Sequence, residues 1–134
     1  DVRALAGRLR HGVVISTPTG STAYAFSAGG PVVWPQVEAF LVVPLSAHAL
    51  FARPLVLGPE SRVAIEVKAH NEGAGVMWCD GRRPVDLPPG ARIEVCRSAQ
   101  PVLLARTQRS TFTDRLVDKF DLSVSGWRGE DRPN

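Results

Sequence analysis

At 134 residues, with 44% hydrophobic and 22% charged residues and a net charge of +3, the chain has the length for one domain with its own core and not for two. No apolar run approaches the ~18 residues of a membrane span, and the N-terminal residues lack the apolar core of a secretory signal. A cytoplasmic protein with no membrane partner is therefore expected. The basic excess is carried by 14 Arg against 2 Lys, scattered along the chain with Arg82-Arg83 as the one adjacent pair. That pattern disfavours a nucleic-acid-binding arm and suits small phosphate-bearing ligands, which guanidinium groups grip in a fork geometry.

In chain order, residues 1–11 are polar and basic and read as the remnant of an inter-domain connection. The chain opens on Asp1 rather than Met, so a piece of a longer reading frame, or a processed product, is expected. Val13–Ser16 reads as a buried strand. It runs into Thr17-Pro18-Thr19-Gly20-Ser21-Thr22, a turn of small hydroxyl residues. From Thr22 to about Gly29 the pattern predicts two helical turns, stopped by Gly29-Gly30-Pro31.

Strands are predicted over Phe40–Leu45, Arg53–Leu57 behind Pro54, and Arg62–Lys68. In the last of these Val63, Ile65 and Val67 alternate with polar neighbours. Gly75–Cys79 and Arg83–Leu87 form a hairpin around Asp80-Gly81, a strong turn signal. After Pro88-Pro89-Gly90, Ala91–Arg97 alternates again, and Pro101–Arg106 is read as a last strand. Phe112, Leu116, Val117 and Phe120 then lie on one helical face, with Thr113 and Asp114 placed to begin the helix. The tail, residues 128–134, is polar and expected to fray. Residues 12–127 thus form one unit, mainly β: an antiparallel β-sandwich with a short helix after the Gly20 loop and a short C-terminal helix.

Several chemistries are missing from the pattern. There is no Gly-x-x-x-x-Gly-Lys-Ser/Thr, no Gly-x-Gly-x-x-Gly and no Gly-x-Ser-x-Gly. His11, His48 and His70 have no metal-ligand spacing, so no metal site is expected. Cys79 and Cys96 fit no Cys-x-x-Cys pair and read as reduced, buried thiols. Trp78 and Trp127 read as core residues, while Tyr24 follows the turn directly and is placed to lie over a sugar or a base. By itself the Gly20 turn is either the N-cap of a helix or a loop that brings backbone N–H groups and hydroxyls close to a phosphate.

As a longer string, Ser16-Thr17-Pro18-Thr19-Gly20-Ser21-Thr22-Ala23-Tyr24 followed by Ser27-Ala28-Gly29-Gly30-Pro31 resembles the substrate-binding segment of the NAD kinase family. His48–Val56, Cys79-Asp80-Gly81 and Phe112–Leu116 add to the likeness, which runs from about residue 12 to residue 127 and is nearest in wording to the actinobacterial branch. The resemblance implies the C-terminal β-sandwich domain of a two-domain enzyme whose active site lies between the domains.

It further implies that Thr22, Ala23, Tyr24 and Ser27 hold NAD, with Ala25 and Phe26 in the same segment. Ser46 and His48 would line the dinucleotide pocket, partly from a neighbouring subunit, in a homodimer or homotetramer. Arg82 stands where members carry a polar pocket residue, and His11 where they usually carry Asp. The implied reaction is phosphorylation of the adenosine ribose 2′-hydroxyl of NAD to give NADP, with ATP or polyphosphate as donor and Mg²⁺ or another divalent cation as cofactor. The family's Gly-Gly-Asp-Gly motif does not occur here. No catalytic residue is therefore assigned, and the isolated chain is expected to be inactive. The other readings are a non-catalytic dinucleotide-binding and assembly module, and a domain related to the lipid kinases.

Overall fold

The structure is a computed structural model that describes residues 12–45, 53–69, 74–105, 107 and 109–124. Among the described residues seven strands form three antiparallel sheets. The first joins β1 (Val13–Ser16), β2 (Phe40–Pro44) and β3 (Leu55–Leu57), with β2 in the centre. Val13 pairs with Pro44 and Ser16 with Leu41, and Leu41 in turn faces Val56 of β3. The inward residues of β2, Leu41 and Val43, are fully buried and form the core with Ala25 and Val33. This is the alternation expected of a central strand.

β4 (Val63–Glu66) pairs with β7 (Arg92–Val95), and the hairpin of β5 (Gly75–Cys79) and β6 (Arg83–Leu87) is inserted between them in sequence. Val63 and Ile65, Ile93 and Val95, and Met77 alternate with exposed neighbours, so each of these strands has a half-buried apolar side and an exposed one. At the hairpin turn Asp80 and Gly81 both have positive φ, 52° and 69°, as a mirror-image turn requires. The mainly antiparallel β character and the two short helical pieces are as the sequence predicts.

Four local expectations are corrected. Residues 101–105 form no strand. Val102, Leu103 and Leu104 stand open, Leu103 at 90% exposure; an apolar run becomes a strand only where another backbone pairs with it. Trp78 is 61% exposed on the outer face of β5 beside exposed Val76, because the pleat turns Met77 inward and its neighbours out. Cys79 and Cys96 are free thiols, but Cys96 is exposed just beyond β7 and Cys79 only half-buried.

Finally, the C-terminal helix starts earlier than expected. α2 spans Phe112–Phe120 with Thr111 as N-cap: the Thr111 hydroxyl accepts from the Asp114 N–H at 3.1 Å, and the Asp114 carboxylate accepts from the Thr111 N–H at 2.8 Å. A reciprocal capping box needs that spacing, which Thr113 as first residue would not give. No described helix is long and apolar enough to cross a membrane.

Candidate functional site

The turn after β1 is built by a serine that leaves its own segment. Thr19–Thr22 is a single 3-10 turn, and α1 (Tyr24–Ser27) is a single α-helical turn, separated by Ala23 at φ −103°, ψ −129°. Of the two helical turns expected from Thr22 to about Gly29, one forms, Tyr24–Ser27, and the 3-10 turn precedes it at Thr19–Thr22. Neither cap position carries a side-chain hydrogen bond, so the N-cap reading of this turn does not hold.

Instead the Ser21 hydroxyl, fully buried, accepts from the Val33 N–H at 2.9 Å and donates to the Val33 carbonyl at 3.3 Å. One side chain thereby satisfies both backbone groups of a core residue twelve positions away, which anchors the turn to the segment leading into β2. The helix stop behind it is equally fixed. Gly29 has φ +85°, and the Gly30 N–H donates to the Ala25 carbonyl at 2.8 Å. A Cβ on Gly30 would stand 2.7 Å from that carbonyl oxygen and 2.9 Å from Val43 Cγ2, so only glycine lets α1 lie this close to β2.

On this frame the expected ligand residues take different positions. Tyr24 is 63% exposed, Ala23 and Ser27 are exposed, and Thr22 is half-buried on the wall of a cleft. Ala25 is buried in the core. Phe26 stacks on Phe120 of α2 with ring centroids 4.5 Å apart. The structure therefore joins Thr22–Ser27 in one segment, with Ala25 and Phe26 packing its back and Tyr24 open in front. Arg82 is exposed at the tip of the β5–β6 hairpin, its N–H bonded to the Cys79 carbonyl at 3.2 Å. His11, Ser46, His48 and Trp127, like residues 1–11 and 128–134, lie outside the described residues.

Three features escaped the sequence reading. Ser21 was hidden because its partner is distant in sequence. α2 docks on the turn through Phe26–Phe120 and through Trp34–Phe112, an edge-to-face pair at 4.7 Å; the aromatic spacing on α2 was visible, but not what it met. Arg115 and Lys119 of α2 line, with Thr19, Thr22, Pro35, Phe112 and Leu116, a cleft of about 230 Å³; their four-residue spacing was the available signal. Asp114 is held below the usual carboxylate range, first by hydrogen bonding with the Thr111 side chain, then by the Thr111 backbone, with the Arg115 charge adding to both.

Fold and site together define a mainly antiparallel β domain carrying a hydroxyl-rich turn anchored in the core, with Tyr24 as its most exposed aromatic ring. Comparison with known proteins makes the assignment specific. Residues 2–107 match the ATP-NAD kinase C-terminal domain, and the chain belongs to that family. It is 67% identical over 129 residues to NAD kinase 2 of Streptomyces coelicolor, covering 96% of this chain and 42% of that protein. With NAD kinase of Thermobifida fusca it shares 66% over 118 residues, 88% of this chain and 36% of the relative. The chain thus spans about two fifths of the length of the curated relatives it matches. Among solved structures, the crystal structure of yeast NADH kinase complexed with NADH is similar, with TM-score 0.56 and 40% identity over 63% of this chain and 24% of that one.

Proposed function

We propose that this chain is the dinucleotide-binding part of an NAD kinase, which transfers a phosphoryl group from ATP or inorganic polyphosphate to the 2′-hydroxyl of the adenosine ribose of NAD and yields NADP. The observation that carries the reading is the exposed Tyr24 ring on a turn whose Ser21 and Ala25 are wholly buried. A ring presented on a fixed backbone binds at low ordering cost. Thr22, Ala23, Tyr24 and Ser27 are the proposed contacts, with Ala25 and Phe26 fixing the segment from behind and Arg82, Ser46, His48 and His11 as further pocket residues. The exposed Trp78 and Val76 support a homo-oligomer, in which residues 12–127 act as one unit.

In phosphoryl transfer the protein's work is mainly positioning and charge stabilisation, and this segment supplies the positioning of the acceptor. No group of three His, Cys, Asp or Glu side chains able to hold a metal ion occurs among the described residues. Those residues do not form a protein cage for a divalent cation. What they supply is binding and orientation.

The test is to add NAD to the 134-residue chain and follow backbone amide resonances, then to assay the same chain for NADP with ATP and with polyphosphate. Shifts concentrated on Thr22–Ser27 with no turnover are expected. Shifts elsewhere, or NADP formation by the chain alone, would contradict the reading.

A further inference from the structure

We propose that the cleft between the Thr19–Thr22 turn and α2 is a subsite for a chain of phosphate groups, with Thr19, Thr22, Arg115 and Lys119 as its ligands. The assignment takes its ligand class from the phosphotransfer reading above and its geometry from four observations. In a 3-10 turn, side chains three residues apart eclipse one another, so Thr19 and Thr22 lie on the same side of the turn, and both line the cleft. On the opposite wall Arg115 and Lys119, one helical turn apart, share a face of α2. Two like charges so placed repel each other, and an anion between them relieves the repulsion.

Neither charge is held in an ion pair among the described residues, although the Lys119 ammonium lies over the Phe120 ring at 5.9 Å and the Arg115 charge acts on Asp114. Among the described residues Arg83, Arg92 and Arg97 pair with Asp80, with Glu66 and Glu94, and with Glu38 respectively. Neither Arg115 nor Lys119 belongs to such a pair. Arg115 is steadied without being neutralised: Nη1 donates to the Ser110 carbonyl at 2.9 Å, and the guanidinium lies over the Phe112 ring at 5.6 Å. Its remaining N–H donors keep the fork suited to phosphate. Asp114 is engaged in the helix cap; Asp118, three residues from Arg115 and next to Lys119, forms an ion pair with neither.

The rest of the lining is apolar, from Pro35, Phe112 and Leu116, and apolar surroundings strengthen a charge contact relative to open water. Its volume of about 230 Å³ is many times the roughly 10–15 Å³ that one water needs, room for linked phosphate groups and not only a single small ion. The same chemistry is offered by a donor's polyphosphate tail and by the pyrophosphate of a dinucleotide.

The experiment titrates the 134-residue chain with inorganic tripolyphosphate and, separately, with NAD at fixed ionic strength, reading amide shifts. Tripolyphosphate is expected to move Thr19, Thr22, Arg115 and Lys119. Lys119→Gln is expected to weaken binding about tenfold, the loss of one charge-assisted contact. Lys68→Gln, at the other lysine of the chain, removes the same charge from an exposed site and should leave affinity within about twofold. Arg115→Lys, which keeps the charge and loses the fork, should also weaken binding while α2 stays folded.

If Lys119→Gln affects tripolyphosphate alone, the cleft serves the donor; if it affects NAD alone, it serves the dinucleotide. Equal effects of Lys119→Gln and Lys68→Gln would reveal general attraction of anions to a basic chain and overturn the proposal. Tyr24-dependent NAD binding with no effect of Lys119→Gln on either probe would remove the cleft and leave the dinucleotide reading intact. Lys119-dependent tripolyphosphate binding with no NAD binding would do the reverse.

Discussion

Replacing Ser21 by Ala tests whether the turn is held by one buried hydroxyl. The substitution removes an acceptor 2.9 Å from the Val33 N–H and a donor 3.3 Å from the Val33 carbonyl. Ser21 is fully buried and Val33 belongs to the core, so water does not readily replace the lost partner. A buried backbone N–H left unsatisfied costs about 1–3 kcal/mol, and the Val33 carbonyl loses the Ser21 donor in the same step. The expected loss is about 2 kcal/mol, roughly a 30-fold fall in the folded-to-unfolded ratio. Urea denaturation should show a lower midpoint at unchanged slope, since the surface exposed on unfolding barely changes. The amide resonances of Thr19–Ser27 should shift with those of Val33, because the two segments share the bond. A loss under about 0.5 kcal/mol, the range of an ordinary surface change, would show that the turn is held by something else.

Two other changes probe the same frame. Gly30→Ala forces a Cβ to 2.7 Å from the Ala25 carbonyl oxygen and 2.9 Å from Val43 Cγ2, and should destabilise by about 1–3 kcal/mol; an unchanged urea midpoint would mean that α1 is free to shift away from β2. The α2 cap should depend on pH. The folded-state pKa of Asp114 is depressed, first by the Thr111 side chain, so its contribution is present above the ordinary carboxylate value and lost as pH falls through the lowered one. Helix content at α2 should drop in that acidic window, and Thr111→Ala, costing about 1 kcal/mol at neutral pH, should flatten the response. A titration that is the same in both proteins would argue against the capping box.

Much of the fold could be read in the residues because strands advertise themselves by alternation and by turn chemistry. Val13–Ser16, Gly75–Cys79 and Arg83–Leu87 occur where the pattern places them, and the strands from Phe40, Leu55, Val63 and Arg92 are trimmed by one or two residues at one or both ends. Residues 101–105 misled for a physical reason: Pro101-Val102-Leu103-Leu104 has a strand's composition, but strand formation is settled by a pairing edge that composition does not reveal. Trp78 misled likewise, since a pleat assigns faces by register, not by side-chain size. At the site, the hydroxyl-rich turn and Tyr24 were legible locally. The division of labour within it was not. Which hydroxyl anchors the turn and which faces the cleft depends on Val33 and on α2, contacts that exist only after the chain has folded.

Tyr24 is the residue on which NAD binding by this turn depends most directly. Calorimetric titration of NAD into the 134-residue chain and into Tyr24→Ala, alongside urea denaturation of both, isolates its role. Because the ring is largely exposed, its removal should leave stability within about 0.5 kcal/mol. Loss of stacking on a base or ribose should still weaken NAD binding tenfold or more, given about 1–3 kcal/mol for such a contact. Equal affinity in the two proteins, with both folded, would contradict the claim that this turn presents the chain's dinucleotide site.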